Sequence, residues 1–173
     1  TGTCASAAAR CAALILCDNG KKIPENVTVT LPRSGSYGDT ATLKVHRAGF
    51  EQGAAYAEIV KDAGDDPDVT NGAIIRCEIY WQDEKDSQQD VQISGGIGVG
   101  MVTKTGLPVP VGQHAINPVP RKMIEHEVRD VLNLYKIKKS VNVIISVPDG
   151  ERIAGLTMNA RLGIIGGISI LGT

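Results

Sequence analysis

The chain has few large rings. One Trp, four Tyr and one Phe stand against twenty glycines in 173 residues, so the core must rest on small aliphatic contacts and close backbone approach rather than on aromatic packing. Charge of one sign is also lacking, because 18 Lys and Arg face 19 Asp and Glu for a formal net charge of −1. That balance excludes a global field able to gather nucleic acid or an anionic membrane surface, and any polyanionic partner must be met locally. Apolar runs are short and interrupted by Gly or Pro, below the about 20 residues of a membrane span, and no charged-then-apolar leader opens the chain. A soluble cytoplasmic protein with no membrane or nucleic-acid partner is the expectation.

Paired cysteine spacing is missing too. Cys4, Cys11, Cys17 and Cys77 form no C-x-x-C pattern, which argues against structural zinc and for free thiols packed in a reducing compartment. His46, His114 and His126 show no metal-ligand spacing and no Ser/His/Asp elbow is visible, so no metal site is expected. Surface or packing roles suit all three histidines, His114 least, since it lies in a proline loop suited to a cleft wall. Asn26-Val27-Thr28 fits a glycosylation sequon but reads most simply as a strand entry.

What is present suffices for one domain over 1–173, given 42% hydrophobic residues and a prior of roughly 150 residues per domain. Thr1 in place of Met, and an apolar run from Ile168 to Thr173 with no closing element, lead us to expect a fragment. Small residues of good helix propensity from Ala5 to Leu14 follow Thr1-Gly2-Thr3, and Asp18-Asn19-Gly20 stops that helix. Its first turn is small enough for a backbone or an anionic ligand to approach, and a helix simply packed on a sheet fits equally well. Val27, Val29 and Leu31, then Ala41, Leu43 and Val45, alternate as half-buried strands joined by a Gly/Ser loop at Ser34 to Gly38. Glu58 to Val60 is a weaker strand, and Ala73 to Trp81 keeps period two most clearly. The polar stretch Gln82 to Asp90 leads to Val91 and Ile93.

Pro108, Pro110, Pro118 and Pro120 exclude regular helix or central strand between Gly106 and Arg121, although Asn117-Pro118 can cap and open a helix. On that helix Ile124, Val128, Val131, Leu132 and Tyr135 share a face. Val141 to Val147 alternates as a strand, and a short helical piece from Glu151 to Leu156 leads to the glycine-rich end. Strands first, then a helix, then a strand, point to an α+β fold with a mixed β-sheet, few helices packed on it and glycine/proline-rich loops forming a cleft.

Four aspartates, Asp62, Asp65, Asp66 and Asp68, fall within seven residues between the apolar stretches Ala57 to Val60 and Ala73 to Ile75. They occupy a loop anchored at both ends, unlike a solvated acidic run. An EF-hand is not supported, because Asn71 stands where Gly is needed and Cys77 where the bidentate Glu belongs. Turn-capping aspartates, a general base, a ribose acceptor and a partner for a cationic ligand all fit. Gly95-Gly96-Ile97-Gly98-Val99-Gly100 invites a nucleotide, but Met101-Val102-Thr103 continues as strand where a phosphate loop needs a helix, and the Walker offsets fail. Lys104, Arg121, Lys122 and Arg161 flank Gly- or Pro-rich loops, where they suit either a carboxylate-rich ligand or a solvated surface.

Several of these segments together resemble one family, the cobalt-precorrin-5B (C1)-methyltransferases known as CbiD. The resemblance rests on Thr1-Gly2-Thr3-Cys4-Ala5, on Val60 to Thr70, on Gly98-Val99-Gly100 with Val102-Thr103-Lys104, on Gly106 to Gly112, on Ala115 to Arg121, and on Arg161 to Thr173. Asn71, Ile97 and Met158-Asn159-Ala160 depart from the family's usual residues. The resemblance implies a single α+β domain over 1–173 matching the family's N-terminal part, with a second α/β domain absent. It implies methyl transfer from S-adenosylmethionine to C1 of cobalt-precorrin-5B, giving cobalt-precorrin-6A in anaerobic cobalamin biosynthesis, with cobalt present only inside the substrate. By the same resemblance Asp62, Asp65, Asp66 and Asp68 are the catalytic candidates. Thr3, Lys104, Asn117, Arg121 and Arg161 fall to the corrinoid, and Gly96, Gly98 and Gly100 to the methyl donor. The partners so implied are the corrinoid and either a missing C-terminal domain or a second copy. A non-catalytic tetrapyrrole-binding module that needs a separate donor-binding domain is the alternative, and a nucleotide-binding enzyme using Gly95 to Gly100 is the third reading.

Overall fold

The computed structural model describes residues 1–32, 38–83 and 89–172. The Gly/Ser loop expected at Ser34 to Gly38 and the polar stretch Gln82 to Asp90 therefore fall largely outside the described residues. An α+β architecture with a mixed sheet is observed, as the sequence suggested.

Helix α1 (Gly2–Cys17) begins a turn earlier than the Ala-rich run and is buried on nearly all sides. A helix this short in side chain can do that, because Ala7, Ala8, Ala9, Ala12 and Ala13 allow neighbouring backbones to close on it from several directions. It stops at Asp18, whose backbone N–H still bonds within the helix. Strands β1 (Asn26–Thr30) and β2 (Thr40–Lys44) form an antiparallel hairpin in which Val27 and Val29 face the core.

The main sheet has the order β3-β4-β5-β9-β6, from β3 (Arg47–Glu51), β4 (Ala54–Val60), β5 (Ile74–Trp81), β6 (Val91–Gly95) and β9 (Val141–Ser146). All pairings are antiparallel except β6 with β9. That parallel pair needs a crossover, and helix α2 (Pro118–Leu134) lies within the connection. One face of the sheet, carrying Ala55, Ala57, Ile59, Ile75, Cys77, Ile79, Val143 and Ile145, is fully buried in the core. The opposite face carries half-exposed Tyr56, Arg76 and Glu78, with the Arg76 guanidinium 4.1 Å from the Tyr56 ring centroid and 2.8 Å from Glu58.

Helix α2 starts at Pro118 with Asn117 in the N-cap position, where Asn117-Pro118 was expected to open it, although this overlaps the end of the interval from which the prolines were expected to exclude regular helix. Pro118 and Pro120 sit in its first turn, where a missing N–H costs nothing. Ile124, Val128, Val131 and Leu132 share its buried face as expected, whereas Tyr135 caps the helix and is exposed. Glu127 on the same face is 2% exposed and satisfied by two partners. Its Oε2 accepts from Arg10 Nη1 on α1 at 2.8 Å, and its Oε1 accepts the Thr30 N–H on β1 at 2.8 Å.

The glycine-rich segments close a second, smaller unit. Strand β7 (Gly98–Val99) pairs in parallel with β11 (Gly167–Ile168), and β8 (Met101–Val102) pairs antiparallel with β10 (Ile164–Ile165). Two short helices, α3 (Gly150–Ala154) and α4 (Asn159–Leu162), cover this corner; α3 overlaps the short helical piece expected from Glu151. The proline loop is ordered around its own small cluster of Val102, Val109, Ala115 and Ile164. No helix among the described residues is long and apolar enough to cross a membrane.

Candidate functional site

The aspartate loop is a self-bonded hairpin extension. Its neck closes where the Lys61 N–H donates to Ala73 O and the Gly72 N–H donates to Lys61 O, both at 2.8 Å. Within it, Asp62 Oδ1 accepts the Gly64 N–H at 2.8 Å and Asn71 Oδ1 accepts the Ala63 N–H at 2.9 Å. Asp68 Oδ1 accepts both the N–H of Thr70 (2.8 Å) and its hydroxyl (2.7 Å). Lys61 Nζ donates to Asp68 Oδ2 and to Thr70 Oγ1, the latter at 2.6 Å. This ammonium and the two Thr70 donors hold the Asp68 carboxyl well below the usual carboxylate range.

The four aspartates thus divide. Asp62 and Asp68 are engaged in fixing the loop, while the carboxylates of Asp65 and Asp66 have no hydrogen-bond or ion-pair partner among the described residues. Asp66 lines a cavity of about 1170 Å³ together with Asp62 and Asp68, whereas Asp65 stands on the loop away from the cavity wall. That volume is just above the usual span of small-molecule sites, about 300–1,000 Å³.

The cavity is bounded mainly by the first turn of α1, strand β2 with Val45 and His46 beyond it, and residues 59–68, with Leu31 and Gly172 completing the wall. Thr3 is on its wall, and Thr3 Oγ1 is fully buried with no hydrogen-bond partner among the described residues. Lys61 lies there too, with its side chain only 14% exposed. Burial pushes the Cys4 thiol on the same wall upward, so it stays protonated at neutral pH. The wall therefore mixes the ammonium groups of Lys44 and Lys61, one uncommitted carboxylate and the apolar side chains of Leu31, Leu43 and Ile59. Such a surface suits a large ligand that carries both polar and apolar parts.

The remaining sequence candidates lie outside this wall. Lys104 and Arg161 come together at the glycine-rich corner, where Lys104 Nζ donates to Arg161 O at 3.2 Å and both side chains are exposed. Arg121 Nη1 donates to Ile93 O at 2.8 Å, tying α2 to β6, and the Asn117 N–H donates to Ile170 O at 3.0 Å. Gly96 is half-buried beside Ser146, while Gly98 and Gly100 are buried, and a Cβ on either would overlap Val147 O or Ile164 Cγ2 respectively. His114 packs over Gly95 rather than on the cavity, and His46 is the histidine that the cavity exposes. Neither His46 nor Lys61 is among the sequence candidates. The alternation of Ala41, Leu43 and Val45 marked the strand that leads to His46, but gave no sign of what it faces.

Comparison with known proteins gives a consistent result. A family model described as CbiD matches residues 1–173. A Priestia megaterium protein named cobalt-precorrin-5B C(1)-methyltransferase is 50% identical over 173 residues, covering 100% of this chain and 44% of its own length. A Prosthecochloris aestuarii protein of the same name is 44% identical over 173 residues, with 100% and 45% covered. A crystal structure of cobalamin biosynthesis protein CbiD from Archaeoglobus fulgidus superposes with a TM-score of 0.67 at 31% identity, covering 99% of this chain and 50% of that one. The chain belongs to the CbiD family, and it spans about half the length of the curated relatives it matches.

Proposed function

We propose that this chain is one half of a cytoplasmic cobalt-precorrin-5B C(1)-methyltransferase, the N-terminal half of the family's two-domain chain, and that the cavity beside loop 61–73 is where it meets its ligands. The observation that carries this reading is the cavity of about 1170 Å³, which joins the aspartate loop to the first turn of α1 in a chain matched throughout by the CbiD family. S-adenosylmethionine supplies, when bound, a methyl group on a positively charged sulfur, ready for in-line transfer to a ring carbon.

The residues present fit such a donor and a carboxylate-bearing ring. Asp66 offers a carboxylate that the fold has not used, suited to a sulfonium or to ribose hydroxyls. Thr3 Oγ1 lies behind the wall without a partner among the described residues, so a ligand oxygen satisfies it only if the side chain turns toward the cavity. Asp62 and Asp68 hold the loop in one shape, and Lys61 anchors that shape from inside the cavity. Lys44 on the cavity wall offers an exposed ammonium suited to a ligand carboxylate. Orientation is then the main contribution, because positioning two reactants in line gains about 7–11 kcal/mol.

Isothermal titration of the full-length Priestia megaterium relative with S-adenosylmethionine and with a cobalt-corrinoid tests the reading. Asn at the position aligned with Asp66 is expected to weaken donor binding at least tenfold while leaving the melting temperature unchanged. Unaltered binding of both ligands by that variant would remove the basis for placing the donor here, and binding of the corrinoid without the donor would favour a holding module over an enzyme.

A further inference from the structure

Four large apolar side chains protrude from ten consecutive residues at the glycine-rich corner: Leu156 is 64% exposed, Met158 59%, Leu162 51% and Ile165 50%. Met158 and Leu162 are one helical turn apart, with the Leu162 N–H donating to Met158 O at 3.1 Å, so they share a face. The backbone beneath them is firmly held. Gly163 O accepts both the N–H of Thr103 at 2.7 Å and its hydroxyl at 2.8 Å, and Asn159 Nδ2 donates to Gly167 O at 3.4 Å. Apolar side chains displayed on a fixed support, with the cations Lys104 and Arg161 at the edge, have the composition of an interface core and its polar rim.

We propose that this corner is the seat of the remaining half of a full-length family chain, a surface with an apolar centre and an acidic edge. Two facts select that occupant. The relatives in which this sequence is matched from end to end are about twice as long, so a further length of chain comparable to this one is tethered to it there. A tethered surface also competes at an effective concentration near millimolar, above that of a free second copy in the cell. The inference rests on family membership alone, and stands whether or not the cavity holds the methyl donor.

The test uses the full-length Priestia megaterium relative. Cysteines are placed singly at the positions aligned with Leu156, Leu162 and Ile165, and one at the position aligned with exposed Glu51 as a reference. Maleimide labelling is expected to be at least tenfold slower at the three corner positions than at the reference. Equal rates overturn the proposal. Protection that vanishes on dilution, together with a dimer-to-monomer shift in sedimentation, also overturns it by assigning the face to another copy. Should the variants fold poorly, hydroxyl-radical footprinting of the unmodified protein gives the same decision. The segment aligned with 156–165 is expected to oxidise at least tenfold more slowly than that aligned with 47–51, and equal oxidation counts against the seat.

Discussion

Loop 61–73 and the glycine junction of residues 95–100 with 163–168 both lack side-chain bulk, yet the fold uses them in opposite ways. In the loop, Asp62, Asp68 and Asn71 satisfy the chain's own amides, which lets the backbone stand clear of the body and border a cavity. Gly64 there meets nothing within 4 Å of a would-be Cβ. At the junction the missing side chains are replaced by backbone, with Gly98 against Val147 and Gly150, and Gly100 against Ile164 and Gly167. Polar side chains create room by supplying hydrogen bonds locally; glycines consume room by letting strands touch.

The largest test of that contrast is Gly98→Ala, where the new methyl overlaps Val147 O at a φ of +74°. Overpacking of 1–3 kcal/mol added to the left-handed penalty is expected to cost about 3 kcal/mol or more in a denaturant titration. Gly64→Ala has the same backbone sign, φ +60°, with open space around it, so it should lose only about 1–2 kcal/mol. Equal losses at the two sites would erase the distinction. Next in size is Lys61→Ala, which leaves Asp68 and Thr70 without their shared donor. A loss of about 1–3 kcal/mol is expected, with faster proteolysis confined to residues 61–73. Loss without local cleavage would mean that the lysine supports the core rather than the loop.

The smallest effect is on acid stability. Lys61 and Thr70 lower the Asp68 carboxyl, so its contribution is complete above the ordinary aspartate value of about 3.9 and disappears as pH falls below it and the group protonates. More than a third of this side chain is in water, which keeps the slope shallow. Asp68→Asn should flatten the fall in denaturation midpoint below pH 4 and change nothing in its slope between pH 5 and 8. A slope that survives the substitution places the acid transition elsewhere.

Much of the fold was legible because long elements carry their own period. β5 alternates through Ile75, Cys77 and Ile79, and α2 repeats at Ile124, Val128, Val131 and Leu132. β3 was missed because it is an edge strand with no buried residue, so Arg47 to Glu51 shows no alternation. The two-residue strands β7, β8, β10 and β11 depend on partners some 60–70 positions away and leave no local trace. For the site, composition singled out the aspartates but could not sort them: Asp62, Asp66 and Asp68 all border the cavity, and only the folded loop shows that Asp62 and Asp68 also bond its amides while Asp66 does not. Thr3 and Lys61 line one cavity across about 60 residues of chain, a placement only tertiary packing creates.

Glu127 carries a consequence for how the molecule is made. One carboxylate on α2 receives hydrogen bonds from α1 and from the β1–β2 hairpin, across separations of 117 and 97 residues. During synthesis the hairpin and Arg10 emerge long before their acceptor does, and β9, which completes the middle of the sheet, follows later still. Contacts that wait for distant sequence form slowly. The cavity wall contributed by β2 is therefore among the last surfaces to be set, and a nascent chain halted before residue 127 holds its first helix without the anchor that fixes that wall.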